Sequence, residues 1–265
     1  MTYTKDHINE LYQLYSNTLF NDSVPFWLNH AVDNEQGGIM TCVDREGKLF
    51  DTDKGVWQQG RFAWVMGHLY NNCETKNPVW LDQCRQTLEF TEKYAFDEDG
   101  RMFFQLTRDG RPIRKRRYAF SESFGAISFG ELAKADGSSH AKELAIKCYN
   151  IFASHVPYPP KFTDVRPMIG LGYYAILIAT IQQLRESIQL EGADAKIDEC
   201  IEKVQKYFMK PDKAVIAAQV ASSHLNLFTV DNAPEITGIG ICAGEFRTKV
   251  SCDQTKDDQK NIMLL

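Results

Sequence analysis

The chain has 265 residues, a formal net charge of −5, and 43% hydrophobic and 25% charged residues. These values are ordinary for a globular chain of one or two domains, and the acidic balance excludes a general affinity for nucleic acid. The seven cysteines are scattered without a CxxC motif, so we expect reduced thiols and no metal site. Because the first residues lack an apolar signal segment and the apolar run 168–181 is short, we expect a cytoplasmic protein.

The N-terminal part is expected to begin with two helices and a hairpin. Residues 5–20 predict an amphipathic helix, and residues 25–32 predict a short second helix that begins with a proline. Residues 39–43 and 48–50 predict two strands around a turn. The helical spacing of the first segment is carried by Ile8, Leu11, Tyr12, Tyr15 and Leu19.

A buried helix is predicted over residues 57–70, because apolar residues recur at helical spacing and no charged outer face is present. Small residues form one stripe, along which a neighbouring helix can approach closely: Gly60, Ala63 and Gly67. A second, apolar stripe contains Phe62, Val65, Met66 and Leu69. The third stripe, which we call the polar–aromatic stripe, contains Trp57, Arg61, Trp64 and His68.

Arg61 in this stripe requires a polar or anionic partner, since an unpaired buried charge is costly. In the first interpretation Arg61 pairs with an internal carboxylate, such as Asp51 or Asp53. In the second it lines a polar-substrate pocket whose floor is aromatic. Sugars suit the second interpretation, because the C–H face of a sugar ring packs on indole and its hydroxyl groups accept from guanidinium.

The rest of the chain predicts helix pairs with a second hairpin between them. Helices are expected over 78–94, from 121 onward, and over 139–155, 168–189 and 194–208; strands are expected over 102–106 and 112–117. The second hairpin is basic. A solvated edge is the favoured interpretation, and a nucleic-acid patch or an anionic-ligand site stays open. Its cations are Arg108, Arg111, Arg114, Lys115, Arg116 and Arg117.

Tyr118 and Glu122 also have two interpretations. Glu122 lies in the first turn of the helix that begins near Ser121, where the helix dipole favours a carboxylate. Alternatively, the Tyr118 hydroxyl and the Glu122 carboxylate contribute to a pocket wall.

Several segments resemble, in order and spacing, the signature of the N-acylglucosamine 2-epimerase family: 26–30, 33–38, 51–53, 57–61, 118–124 and 166–168. The resemblance implies an all-α fold, an (α/α)6 barrel or toroid of helix hairpins with short β-hairpins in its loops. We expect residues 1–212 to form an incomplete toroid of about seven helices. Residues 213–265 do not resemble the family and are expected to be a divergent, partly disordered segment.

The resemblance further implies a sugar 2-epimerase or isomerase that interconverts N-acetylglucosamine and N-acetylmannosamine by proton exchange at C2. Arg61 would be catalytic and would stabilise the enediolate. The implied substrate-binding residues are Trp57, Tyr118, Glu122, Arg166 and Met168. The expected partner is a small sugar, without cofactor, metal, nucleic acid or membrane, and the chain is expected to be able to form a homodimer.

The sequence departs from the family in one respect that bears on activity. The two histidines that family members use to exchange the C2 proton have no match, and His224 lies in different surroundings. We therefore keep the alternative of a truncated, catalytically inactive member that binds a sugar or a protein. A glycoside hydrolase would instead need two carboxylates about 5–10 Å apart. Asp51, Asp53 and Glu122 are the candidates for that pair.

Overall fold

The computed structural model describes residues 4–155 and 168–221, and these ranges are dominated by helices. A π-helical turn over Leu19–Ser23 joins α1 to α2, and another over Val204–Phe208 continues α8. None of the helices in the two ranges is long and apolar enough to cross a membrane. The helices are α1 (Lys5–Thr18), α2 (Val24–His30), α3 (Val56–Asn72), α4 (Pro78–Tyr94), α5 (Phe120–Asp136), α6 (Ser139–Ser154), α7 (Leu171–Ile188) and α8 (Ala193–Lys203).

The strands are short, antiparallel and confined to the connections between helices. A three-stranded sheet has the order β3–β4–β5, and the pairs β1–β2, β6–β9 and β7–β8 complete the set in the described ranges. Past residue 213, β8 and β9 thus stay joined to the helical part. The strands are β1 (Cys42–Val43), β2 (Leu49–Asp51), β3 (Lys54–Gly55), β4 (Gln105–Leu106), β5 (Pro112–Arg114), β6 (Met168–Gly170), β7 (Met209–Lys210), β8 (Val215–Ile216) and β9 (Gln219–Ala221).

The helices pack as two layers. In the inner layer α5 packs against both α3 and α7, and in the outer layer α4, α6 and α8 each pack on the inner helix that precedes them. The small-residue stripe of α3 explains the close approach of α3 and α5. A Cβ atom on Gly60 would lie 2.9 Å from the backbone carbon of Phe124, and one on Gly67 would lie 3.0 Å from the Cβ of Glu131.

The apolar stripe of α3 is the centre of the larger of two hydrophobic clusters. Phe62, Met66 and Leu69 are buried there together with side chains of α4 and α5. The second cluster forms where α7 and α8 meet the end of α6, around Phe152, Tyr174 and Leu177. The predicted division of the α3 surface into small, apolar and polar–aromatic stripes is therefore confirmed.

Two expected helix boundaries need correction. The predicted helix over 168–189 begins only at Leu171, because residues 168–170 pair in register with residues 219–221. The predicted helix over 194–208 ends as an α-helix at Lys203. The apolar face of α1 has no buried residue, and its side chains remain mostly exposed, among them Ile8 (55%), Tyr12 (67%) and Tyr15 (69%). Residues 156–167, between α6 and β6, lie outside the described residues.

Candidate functional site

The short strands gather at the N-terminal ends of the inner helices. β3 runs directly into α3 and pairs with β4, whose partner β5 leads toward α5. Strand β6 runs directly into α7. The first turns of the inner helices and these strands form the candidate site, because Trp57, Arg61, Tyr118 and Glu122 lie there.

Arg61 is the central side chain of the site. Its guanidinium carbon lies 4.4 Å from the ring centroid of Phe124 and 5.0 Å from that of Trp57. The side chain is half-buried, and burial lowers the pKa of the guanidinium. Arginine remains charged across the biological pH range, so the site holds a permanent cation against two aromatic faces.

Asp51 and Asp53, the partners expected for Arg61 in the first interpretation, are engaged in local contacts. Oδ1 of Asp51 accepts a hydrogen bond from the backbone N–H of Asp53 at 2.9 Å. Oδ2 of Asp53 accepts from Nε2 of Gln105 at 3.2 Å, which ties the approach to α3 to strand β4. Neither carboxylate pairs with Arg61 among the described residues, and the guanidinium packs on aromatic rings.

Trp57 joins this floor to the sheet. Its ring centroid lies 5.9 Å from that of Phe124, edge to face, and 6.2 Å from that of Phe104. The guanidinium of Arg116 covers Phe104 at 4.7 Å, so aromatic rings alternate with cations from the hairpin to α5. Nε1 of Trp57 is buried and has no hydrogen-bond acceptor. An unpaired buried donor of this kind costs about 1–3 kcal/mol.

The C-terminal half of the polar–aromatic stripe, which we call its lower half, consists of Trp64 and His68. These two side chains join α3 to the neighbouring inner helices. Nε1 of Trp64 donates to Oε1 of Gln183 in α7 at 3.1 Å. The ring of His68 stacks on Trp64, and its Nδ1 lies 3.0 Å from Oε1 of the buried Glu131 in α5. These contacts give His68 the structural role of linking α3 to α5.

Glu122 is enclosed and does not line an open pocket wall. It is fully buried, and its Oε1 accepts from Nε of Arg101 at 2.5 Å and from the backbone N–H of Met102 at 2.9 Å. Its Oε2 has no hydrogen-bond partner. Burial in an ion pair also makes Glu122 unsuitable as one of the two accessible carboxylates of a glycoside hydrolase.

Tyr118 lies just before α5 and is half-buried. Its ring stacks on Phe120 with centroids 5.9 Å apart, and the guanidinium of Arg117 lies 5.2 Å from the Tyr118 ring. Residue 168 starts β6, directly before α7, and the structure describes only its backbone. Arg166 lies outside the described residues.

Sequence reasoning missed three residues of the site: Arg101, Phe104 and Phe124. Arg101 follows a predicted turn and carried no periodic signal of its own. Phe104 and Phe124 lay in a predicted strand and a predicted helix, and only the pairing of β3 with β4 and of α3 with α5 brings them to Trp57.

Three of the six cations in the basic hairpin pair with carboxylates of the described residues. Arg108 pairs with Asp33 and Glu35, Arg111 with Asp109, and Lys115 with Asp97 and Asp99. Residues 111–117 are exposed. This pattern supports the interpretation of a solvated, internally paired edge.

A buried ion pair, also missed, fixes the strand that leads into α3. Lys54 and Asp33 are both fully buried, and Nζ of Lys54 lies 2.8 Å from Oδ2 of Asp33 and 2.6 Å from the carbonyl oxygen of Gly37. Burial alone would raise the pKa of Asp33, but hydrogen bonds from Arg108 and Lys54 outweigh burial and hold that pKa well below its ordinary range. Burial lowers the pKa of Lys54, and Asp33 partly offsets this.

The fold is that of the (α/α)6-barrel proteins. A sugar epimerase from a ruminal bacterium superposes with a TM-score of 0.69 at 16% identity, covering 79% of this chain and 58% of that one. Cellobiose 2-epimerase from Bacillus thermoamylovorans B4167 superposes with a TM-score of 0.66 at 19% identity, covering 79% and 59%. At these identities the likeness establishes the fold, and the all-α toroid prediction is confirmed for the described helices.

The sequence narrows this class to one family. The family model described as N-acylglucosamine 2-epimerase (GlcNAc 2-epimerase) matches residues 37–162. The N-acylglucosamine 2-epimerase of Bos taurus is 31% identical over 205 residues, which make up 73% of this chain and 48% of the bovine protein. The chain belongs to the N-acylglucosamine 2-epimerase family over this matched region, and it spans about half the length of the curated relatives it matches.

Proposed function

We propose that the protein acts as a sugar 2-epimerase on N-acylated hexosamines and interconverts N-acetylglucosamine and N-acetylmannosamine. The observation that carries the proposal is the guanidinium of Arg61 held against Trp57 and Phe124 at the N-terminal ends of α3 and α5. The family of the chain supports the same reaction, because its curated relatives are N-acylglucosamine 2-epimerases.

In this proposal the aromatic rings bind the apolar face of the sugar and Arg61 binds its oxygen atoms. Removal of the C2 proton next to a carbonyl forms an enediolate, whose negative charge needs a positioned donor or cation. A half-buried guanidinium fulfils this role well, since charges interact more strongly where water is partly excluded. Arg61 thus serves as the catalytic electrostatic group, and Trp57 shapes the floor.

The remaining predicted site residues have supporting roles in this proposal. The Tyr118 hydroxyl, Arg166 and Met168 contribute to the sugar-binding wall. Glu122 supports that wall from behind through its ion pair with Arg101, in place of the direct substrate contact expected from the sequence. Proton transfer at C2 requires a base and an acid near neutral pH, for which imidazole groups are best suited. Among the described histidines, His68 and His155 are bound by Glu131 and Arg101, so we assign neither to proton transfer.

The test is proton NMR of N-acetylmannosamine in D2O with the purified chain. Epimerisation replaces the C2 proton by deuterium, so the C2 signal should disappear. The variant Arg61→Met should slow this loss by about 10²-fold or more, the usual cost of removing one charge-stabilising donor. The control variant Arg85→Met removes an exposed guanidinium that pairs with Asp136, the last residue of α5, and it should exchange as fast as the unmodified protein.

A persistent C2 signal with folded protein would contradict the proposed catalysis. Saturation-transfer NMR of the same sugar then separates two cases. Binding that Arg61→Met abolishes would identify a sugar-binding protein without turnover, and absence of binding would remove the sugar assignment altogether.

We also propose that the protein acts in the cytoplasm, that it needs no nucleic-acid partner, and that it forms a homodimer. The homodimer is tested by light scattering of the purified chain over a range of concentrations. A constant monomer mass at high micromolar concentration would refute it.

A further inference from the structure

Arg101 contacts several separate segments of the chain around the site. Its Nε donates to Oε1 of Glu122 at 2.5 Å, and its Nη1 donates to Nε2 of His155 at 3.1 Å. Its Nη2 donates to the carbonyl oxygen of Tyr118 at 2.9 Å and reaches that of Arg116 at 3.4 Å. One guanidinium thus connects the first turn of α5, the end of α6 and the segment between β5 and α5.

The contact with Arg101 determines which ring nitrogen of His155 carries a proton. A guanidinium has only donors, so Nε2 of His155 must accept and carries no proton. The proton therefore lies on Nδ1, which is 2.7 Å from the carbonyl oxygen of Ile151 and donates to it. In this arrangement His155 anchors Arg101 to the last turn of α6.

The ion pair with Glu122 is strongly directional. The Glu122 side chain is fully buried and that of Arg101 is 14% exposed. Oε1 of Glu122 accepts from both Arg101 and the N–H of Met102, whereas Oε2 has no hydrogen-bond partner within the described residues. A buried carboxylate that loses its cation is left uncompensated. Arg101 therefore has little freedom to leave this position.

The segments that Arg101 connects carry the wall of the candidate site. Phe104 lies three residues after Arg101 and contacts Trp57. Arg116, whose carbonyl oxygen faces Arg101, covers Phe104 with its own guanidinium. Phe124 lies two residues after Glu122 and contacts both Trp57 and Arg61.

We propose that Arg101 is a positioning residue for sugar binding, which holds the rings of Phe104 and Phe124 and the Arg116–Tyr118 segment in register around Trp57 and Arg61. It contacts the carbonyl oxygens of that segment and the Glu122 carboxylate. Its effect on sugar binding is therefore indirect, through the position of the residues that form the wall. The expected change in KM for the sugar rests on the proposed function, whereas the expected change in amide hydrogen exchange rests on the fold alone.

The test compares Arg101→Met and Arg101→Lys with the control Arg85→Met in the full-length chain. Arg85 also pairs with a carboxylate, but at the exposed contact with Asp136. The first readout is amide hydrogen exchange, which needs no sugar. Arg101→Met should accelerate exchange over residues 103–106 and 114–120 by about tenfold or more, and it should leave the amides of α4 unchanged. Arg85→Met should change neither group.

The second readout separates positioning from chemistry. Arg101→Met should raise KM for N-acetylmannosamine by about tenfold and change kcat by less than about threefold, because it loosens binding without removing a reacting group. Arg101→Lys keeps one donor for Glu122 but cannot span the two carbonyl oxygens and His155, so its KM should lie between those of Arg101→Met and the unmodified protein. This conservative variant also keeps the test decisive if Arg101→Met does not fold.

Unchanged exchange over residues 103–106 and 114–120 in Arg101→Lys and in folded Arg101→Met would overturn the inference. So would accelerated exchange throughout α3 to α6, or a fall in kcat at unchanged KM. If the unmodified protein neither binds nor converts the sugar, the proposed function fails. The exchange experiment then still decides whether Arg101 holds the wall.

Discussion

The buried ion pair of Lys54 and Asp33 makes an asymmetric prediction about stability. Both side chains are fully buried, but their remaining partners differ. Asp33 also accepts from Nε and Nη2 of Arg108 at 2.9 and 2.8 Å and from the backbone N–H groups of Glu35 and Gln36. Lys54 has, besides Asp33, the carbonyl oxygen of Gly37 and the face of Phe90 at 4.2 Å. The two partners should therefore respond differently to removal of the other.

In Asp33→Ala, the fully buried Lys54 loses the carboxylate with which it pairs. Loss of one partner of a buried pair costs about 3–5 kcal/mol of unfolding free energy. In Lys54→Met, the aliphatic chain over Phe90 is retained and Asp33 keeps Arg108 and its two N–H donors. We expect this variant to lose less than about 1.5 kcal/mol, because breaking a buried pair is costly when it leaves a charge uncompensated, and Asp33 still has Arg108.

The assay is urea unfolding at pH 7, followed by tryptophan fluorescence. The control is Asp109→Ala, which removes the exposed pair with Arg111 and should cost less than about 1 kcal/mol. Equal losses in Asp33→Ala and Lys54→Met would refute the argument from the remaining partners. A loss below about 1 kcal/mol in Asp33→Ala would refute the enclosure of Lys54 itself.

Three further predictions concern pH, helix packing and thiol reactivity. The pKa of Asp33 is lowered in the folded state, so the stabilising contribution of Asp33 is complete above the unfolded pKa of about 3.9 and is lost as the pH falls below that value. Melting temperatures measured from pH 6 to 3 should therefore fall less steeply for Asp33→Ala than for the unmodified protein. Gly60→Ala places a Cβ 2.9 Å from Phe124 and should cost about 1–3 kcal/mol in urea unfolding, whereas Gly172→Ala meets no neighbour and should stabilise by about 0.5 kcal/mol. Burial and the charge of Glu131 raise the pKa of Cys84 to about 12, so iodoacetamide at pH 8 should modify the half-buried Cys42 and Cys73 and spare Cys84 in peptide mapping. A steeper acid transition in Asp33→Ala, a stable Gly60→Ala or rapid labelling of Cys84 would contradict the respective argument.

The helices and the surface division of α3 could be predicted because they depend on spacing along one segment. The small residues Gly60 and Gly67 predicted a close helix contact, and Trp57 with Arg61 predicted an aromatic site around a cation. Both features arise within four to seven residues of sequence, where helical periodicity fixes which side chains share a face.

The contacts missed from the sequence join positions far apart along the chain. Asp33 meets Arg108 across 75 residues, Lys54 meets Asp33 across 21, and Arg101 meets Glu122 across 21. Periodicity does not predict such pairs. From the sequence alone, Arg108 is therefore assigned to a basic edge and Glu122 to a pocket wall. The start of α7 was missed for the same reason, because pairing of residues 168–170 with residues 219–221 competes with helix formation.

The polar–aromatic stripe of α3 shows how one helix face can both support and form a site. Its lower residues are held by hydrogen bonds to the neighbouring inner helices, Trp64 to Gln183 and His68 to Glu131. Its upper residues, Trp57 and Arg61, face the aromatic rings beside the strands. Because a single rigid helix carries both halves, the lower contacts fix the rotation of α3 and with it the direction in which Arg61 points. Loss of the Trp64–Gln183 contact in a Gln183→Leu variant should therefore weaken sugar binding, although neither residue belongs to the candidate site, and unchanged binding in saturation-transfer NMR would show that the upper contacts suffice.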